Sequence, residues 1–259
     1  MPEITKNLAF DLALTVKPSP FVKSINVLSL TLLCLFLHKN TKPALIMNPK
    51  EKEISYSSLN TYSTLNLLSS KTKNVWFVCH GIGHLSRYFI KHFNELNNEE
   101  NYIIAPQAQS KFYIAPKMKH VGACWLTREQ TKTETNNVIN YFNEILAFEN
   151  IPLTCNLIFL GFSQGVSVVM RLIAKSKLKF NKLILYSGRI PIELTKNDFK
   201  HIDSKSEVYL VCGTKDSYLD KNTIKSEKKK AEELFNNVST INFDIAHEIN
   251  SSIVNVLPV

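Results

Sequence analysis

Gly161-Phe162-Ser163-Gln164-Gly165 follows the apolar run Leu157-Ile158-Phe159-Leu160 and precedes a helical stripe of Val168, Val169, Leu172 and Ile173. A serine set in G-x-S-x-G at a strand-to-helix turn is held out at the carboxyl edge of a sheet as a nucleophile. The glycines let the chain close tightly around a strained serine backbone. The N–H groups and the positive dipole end of the following helix point toward the same place. As a bare string the motif arises often by chance; its strand-then-helix context gives it weight.

A serine nucleophile needs a base, and the base needs an acid to orient it. On such a turn the chain order is serine, then acid, then histidine. The strand Val208-Tyr209-Leu210-Val211-Cys212 runs into Gly213-Thr214-Lys215-Asp216, and Ile241-Asn242-Phe243-Asp244-Ile245-Ala246 runs into His247. Both Asp216 and His247 therefore sit just past strand ends, on the serine's edge of the sheet. Asp220 and Asp244 compete with Asp216, but neither ends an apolar strand through a glycine turn.

The third requirement is a pair of donors for the oxyanion. Val75-Trp76-Phe77-Val78-Cys79 reads as a buried parallel strand, followed by His80-Gly81-Ile82-Gly83. The main-chain amides of Ile82 and Gln164 are the candidates, one from the loop after an early strand and one after the serine. His80 precedes the serine, the wrong order for the base, and reads as loop scaffolding.

The elements that must position these groups alternate from residue 50 onward. Strands are expected at about 62–68, 75–79, 102–105, 155–160, 182–186, 207–212 and 239–243, and helices at about 86–97, 129–149, 164–176 and 222–236. In 129–149 the apolar stripe is Val138, Phe142, Ile145 and Leu146. Such alternation predicts an α/β fold, a mostly parallel central sheet with helices on both faces. The longest irregular stretches, about 106–128 and 187–205, are too short for a large lid, so the site is expected to be open.

These residues resemble the phospholipase/carboxylesterase family of α/β hydrolases, which includes the acyl-protein thioesterases. The likeness rests on His80-Gly81-Ile82-Gly83, Ile104-Ala105-Pro106-Gln107, Cys124-Trp125, Gly161 to Gly165, Gly213-Thr214-Lys215-Asp216 and Ala246-His247-Glu248, and spans about residues 50–259. It implies Ser163, Asp216 and His247 as a catalytic triad with Ile82 and Gln164 as oxyanion donors. It implies an esterase for short- to medium-chain carboxylic esters, with lysophospholipase or acyl-protein thioesterase activity as the near alternative. Trp125 is similar to a family tryptophan near the site, read either as a pocket wall or as a core aromatic. Phe112, Tyr113, Ile114 and Met118 are candidates for an apolar acyl groove. The chain departs from the family pattern at Val166, where a second glycine is usual, and at Ala246, where a glycine usually precedes the histidine. The reading from another class is a hydrolase-fold binding protein without chemistry.

Composition sets the remaining bounds. The chain has 259 residues, 44% of them hydrophobic, enough for one substantial core. The net charge of +9 is spread out, and the densest run, Lys225 to Lys230, opens an amphipathic helix with a solvated mixed-charge face. Nucleic acid is therefore not an expected partner. A small-molecule or lipid ester is, with attraction to an anionic membrane a minor reading. Five cysteines, at 34, 79, 124, 155 and 212, show no C-x-x-C spacing. No metal, organic cofactor or disulfide framework is expected, and a cytoplasmic location fits.

Residues 1–46 read as an upstream extension, with Met47 as an alternative start of a catalytic domain over 47–259. The apolar run from Ile25 to Leu37 is thirteen residues long, short of the ~20 that span a bilayer. A membrane anchor there is the runner-up.

Overall fold

The computed structural model describes residues 49–257. The expectations for residues 1–46, for Met47 and for the run 25–37 lie outside the described residues. The elements below all belong to the unit Ser58–Val259.

Seven strands form one sheet in the order β1-β3-β2-β6-β7-β8-β9. They are β1 (Tyr62–Leu65), β2 (Asn74–Cys79), β3 (Asn101–Pro106), β6 (Asn156–Phe162), β7 (Lys182–Tyr186), β8 (Glu207–Gly213) and β9 (Val238–Phe243). Only β1, at the edge, runs antiparallel; every other pairing is parallel. β1 stops short of the expected 62–68 because Asn66 turns into the left-handed region at φ 70°.

The central strands are apolar on both sides because both faces are covered. Val75, Phe77 and Cys79 of β2 face one core with Val138, Phe142, Val169 and Leu172. Those partners come from α2 (Thr131–Glu149) and α3 (Gln164–Ser176). Trp76 and Val78 face the other core with Phe89, Phe93 and Val254, next to the short helices α1 (Ser86–Phe89) and α5 (Ser251–Asn255). The helix expected over 86–97 tightens after α1 into a 3₁₀ turn, Ile90–Phe93. This keeps Phe89, Ile90 and Phe93 buried. α4 (Lys221–Leu234) carries the lysine-rich face and is capped by Asp220, whose carboxylate accepts the Thr223 N–H at 2.7 Å.

The stretch 106–128 is not irregular: β4 (Ser110–Tyr113) and β5 (Val121–Cys124) pair as an antiparallel hairpin. All four residues of β4 are exposed, so it lacks the apolar alternation that marks a half-buried strand.

From β2 the chain moves outward to β3, then returns to place β6 on the other side of β2. The connections leaving β2 and β6 diverge at their carboxyl ends, and such a switch point opens the crevice where ligands bind in this architecture.

Candidate active site

Ser163 directly follows β6 at that crevice, with φ 53° and ψ −117°. Its own N–H donates to the Tyr186 carbonyl at 2.9 Å, which ties the turn to β7. The flanking glycines are steric requirements. A Cβ on Gly161 would lie 2.4 Å from the Val166 nitrogen, and one on Gly165 would lie 2.0 Å from the Cys79 carbonyl oxygen. Both obstacles are backbone, so α3 packs against β2 and β6 only with glycine at these positions. Val166, one of the two departures from the family pattern, is fully buried. Gly188 makes its room, since a Cβ there would meet the Val166 side chain at 2.4 Å.

The loops after β8 and β9 bring Asp216 and His247 to the serine. His247 Nε2 lies 2.9 Å from Ser163 Oγ, and His247 Nδ1 lies 2.7 Å from Asp216 Oδ2. An ionised carboxylate only accepts, so Nδ1–H donates to it and Nε2 is left to accept the serine hydroxyl. The other carboxylate oxygen of Asp216 accepts the N–H groups of Tyr218 at 2.8 Å and Leu219 at 3.1 Å. The Asp216 side chain is sealed from solvent, while that of His247 is 17% exposed. Of the two, only the histidine reaches solvent. Gly213 makes the crossing possible, because a Cβ there would meet the carbonyl oxygen of Ile245 at 2.5 Å. Ala246 is not among the residues with positive φ, so the family's glycine is not needed there.

The rival acids have other work. Asp244 is exposed and pairs with Lys215 at 2.8 Å and Thr214 at 3.0 Å. Those donors hold its pKa down. Asp220 caps α4.

The Ile82 and Gln164 amides make no hydrogen bond within the chain among the described residues. For Gln164 this follows from its place as the first residue of α3. The loop carrying Ile82 passes directly against the serine, since a Cβ on Gly81 would lie 3.1 Å from Ser163 Cβ. Gly83, at φ 82°, donates its N–H to the Ala123 carbonyl at 2.8 Å.

His80 is fully buried. Its Nδ1 lies 2.8 Å from the Gly81 carbonyl and its Nε2 accepts the Ala108 N–H at 3.1 Å. Burial lowers its pKa to about 4, which keeps it neutral. That is the geometry of scaffolding. His84 is also held below the ordinary histidine range, first by burial and then by the charges of His92 and His247.

The pocket candidates divide. Trp125 is 1% exposed, donates its indole N–H to the His80 carbonyl at 2.8 Å and packs on Phe142. It sits in the core, its ring between those of His80 at 4.8 Å and Phe142 of α2 at 5.2 Å. Phe112, Tyr113, Ile114 and Met118 are exposed on the β4–β5 hairpin. No hydrogen bond or ring contact among the described residues joins them to Ser163 or His247. Two aromatic neighbours of His247 carried no sequence signal beyond proximity to a motif. Phe162 packs on its ring from the buried side at 5.3 Å, and Tyr218, 72% exposed, lies at 4.7 Å.

Among the described residues, no group of three or more His, Cys, Asp or Glu is placed to hold a metal. No helix among them is long and apolar enough to cross a membrane.

Several solved structures share the fold. Acyl-protein thioesterase 2 of Zea mays superposes with a TM-score of 0.58 at 15% identity, covering 73% of this chain and 92% of that one. A phospholipase/carboxylesterase from Dyadobacter fermentans gives 0.56 at 20% identity, covering 78% and 98%. A carboxylesterase from Mesorhizobium loti gives 0.56 at 15%, covering 70% and 86%. Comparison with curated protein sequences finds no match. The sequence pattern of the Phospholipase/Carboxylesterase family matches residues 61–257, most of the chain and every element of the sheet, and the protein belongs to that family of hydrolases.

Proposed function

We propose that the protein is a serine hydrolase that cleaves carboxylic esters of short- to medium-chain acids through an acyl-enzyme. The observation that carries this reading is the continuous relay from Ser163 Oγ through His247 to the sealed Asp216 carboxylate. Ser163 Oγ attacks the ester carbonyl while His247 Nε2 takes its proton. Asp216 holds the imidazole in the required tautomer and stabilises the imidazolium. The amides of Ile82 and Gln164 receive the oxyanion. His247 then protonates the departing alcohol, and water, deprotonated by the same nitrogen, releases the acid.

Ile82, on the loop that passes against Ser163, and Tyr218, beside His247, are both exposed. They flank an open site suited to a small-molecule or lipid ester. A second reading is hydrolysis of acyl thioesters or lysophospholipids; the fold is shared with an acyl-protein thioesterase of Zea mays. The cysteines among the described residues, Cys79, Cys124, Cys155 and Cys212, are all free thiols, which suits a cytoplasmic location.

Labelling with a fluorophosphonate tests the chemistry without knowledge of the substrate. Stoichiometric modification of Ser163, abolished in His247→Ala, is the expected result. A folded protein that stays unlabelled would leave a binding protein on a hydrolase scaffold. A series of p-nitrophenyl esters then separates the two substrate readings, a long-chain optimum favouring the second.

A further inference from the structure

We propose that the side chain of Gln164 is a positioning residue that sets the geometry of the Ile82 oxyanion donor by clamping β5. This inference rests on the serine-hydrolase reading above. In that reading Gln164 contributes only its main-chain amide, and its side chain has no role.

The side chain is fully engaged, and not with the site. Its Oε1 accepts the Trp125 N–H at 2.8 Å, and its Nε2 donates to the Leu126 carbonyl at 2.6 Å and lies 3.3 Å from Cys124 Sγ. A primary amide presents an acceptor and a donor on one planar head. Here each meets its complement on the main chain just past β5. The start of α3, and with it Ser163, is thereby bolted to the end of the hairpin.

β5 and Trp125, the residue after it, in turn grip the oxyanion loop at two points that bracket Ile82. The Trp125 indole N–H holds the His80 carbonyl at 2.8 Å, and the Ala123 carbonyl holds the Gly83 N–H at 2.8 Å. Contact is also close at Gly122, where a Cβ would come within 2.6 Å of Gly83 Cα and O. The Ile82 amide thus takes its place from β5, and β5 takes its place from Gln164. The two donors of the oxyanion hole are not independent: one residue supplies the first and braces the second. Trp125 acquires a role in this arrangement despite its burial, because it is one of the two grips.

The test replaces the clamp and keeps the main-chain amide. Gln164→Met is expected to lower kcat by about 10–100-fold with KM within about twofold, since outright removal of a donor costs ~10²–10³ and here the donor is displaced rather than deleted. The affinity of a boronic acid, whose tetrahedral adduct on Ser163 uses the same hole, should fall in parallel with kcat. Gln164→Glu keeps the acceptor for Trp125 but cannot donate to Leu126, and should fall between wild type and Gln164→Met. Gly122→Ala pushes on the loop from the β5 side with Gln164 intact, and should reproduce the loss in kcat and boronate affinity. A folded Gln164→Met protein with wild-type kcat and boronate affinity overturns the proposal, as does a change confined to KM. If Gln164→Met does not fold, Gln164→Glu decides by the same two readings. Ser163→Ala separates the levels. If it remains active, the hydrolase reading fails and this one with it. If it is inactive while the Gln164 variants match wild type, only the clamp is wrong.

Discussion

Replacement of Asp216 by asparagine is the sharpest probe of the relay, because the structure dictates how the new amide must orient. One carboxylate oxygen faces the N–H groups of Tyr218 and Leu219, at 2.8 and 3.1 Å. An asparagine that turned its NH₂ toward them would set donors against donors, at about 1–3 kcal/mol for the buried Leu219 N–H alone. Its carbonyl oxygen is therefore held there, and its NH₂ occupies the position 2.7 Å from His247 Nδ1. That nitrogen must now accept, so the imidazole proton moves to Nε2, which faces Ser163 Oγ at 2.9 Å. In this tautomer Nε2 has no lone pair for the serine proton. The expected loss is ~10⁴ in kcat, or about 5.5 kcal/mol of transition-state stabilisation. The fold should persist, since the substitution is isosteric and keeps both amide bonds. Steady-state hydrolysis of p-nitrophenyl butyrate, normalised to folded protein by circular dichroism, measures it. The control is Asp244→Asn, which alters an exposed ion pair with Lys215 and should stay within about twofold. Asp216→Asn activity within tenfold of wild type, or a larger loss from Asp244→Asn, would refute the assignment of the acid.

Three further outcomes follow from the same geometry. Ser163→Gly should abolish ester hydrolysis yet raise stability by about 1 kcal/mol in thermal or urea melts, because glycine relieves the positive φ that serine tolerates poorly. Gly165→Ala should destabilise by at least about 3 kcal/mol, or prevent folding, since its Cβ would sit 2.0 Å from the Cys79 carbonyl oxygen; the yield and melting temperature of the purified variant report this. His80, neutral when folded with a pKa near 4, takes up its proton at higher pH in the unfolded chain. Stability therefore falls as pH drops from about 6.5 to about 4, by about 3 kcal/mol in full. Chemical denaturation across this range should show a shallower acid loss in His80→Gln, whose amide can serve the same two partners.

The sequence alone carried the chain order and edge placement of the groups, because both follow from local patterns. Apolar runs marked β2, β6, β7 and β8, and a parallel sheet puts all their carboxyl ends on one side. That logic points to Ser163, Asp216 and His247, and α3 forms over the expected 164–176 because its apolar stripe matches the helical period. The glycines of the motif were legible as a tight turn, but not the objects they avoid. That Gly165 clears the carbonyl of Cys79, and that Gly188 yields space to Val166, are facts about chain segments far apart in sequence. The β4–β5 hairpin was invisible because an exposed strand shows no alternation, and with it went the true place of Trp125, read equally well as pocket wall or core. The glycine turn at the end of β8 favours Asp216 over Asp220 and Asp244, but what the two rivals do instead is a matter of tertiary structure. Distances show Asp216 at 2.7 Å from an imidazole, Asp220 as a helix cap and Asp244 in a surface ion pair. Periodicity and motif report what each segment does by itself; which side chains meet depends on packing between segments, where local sequence carries no signal.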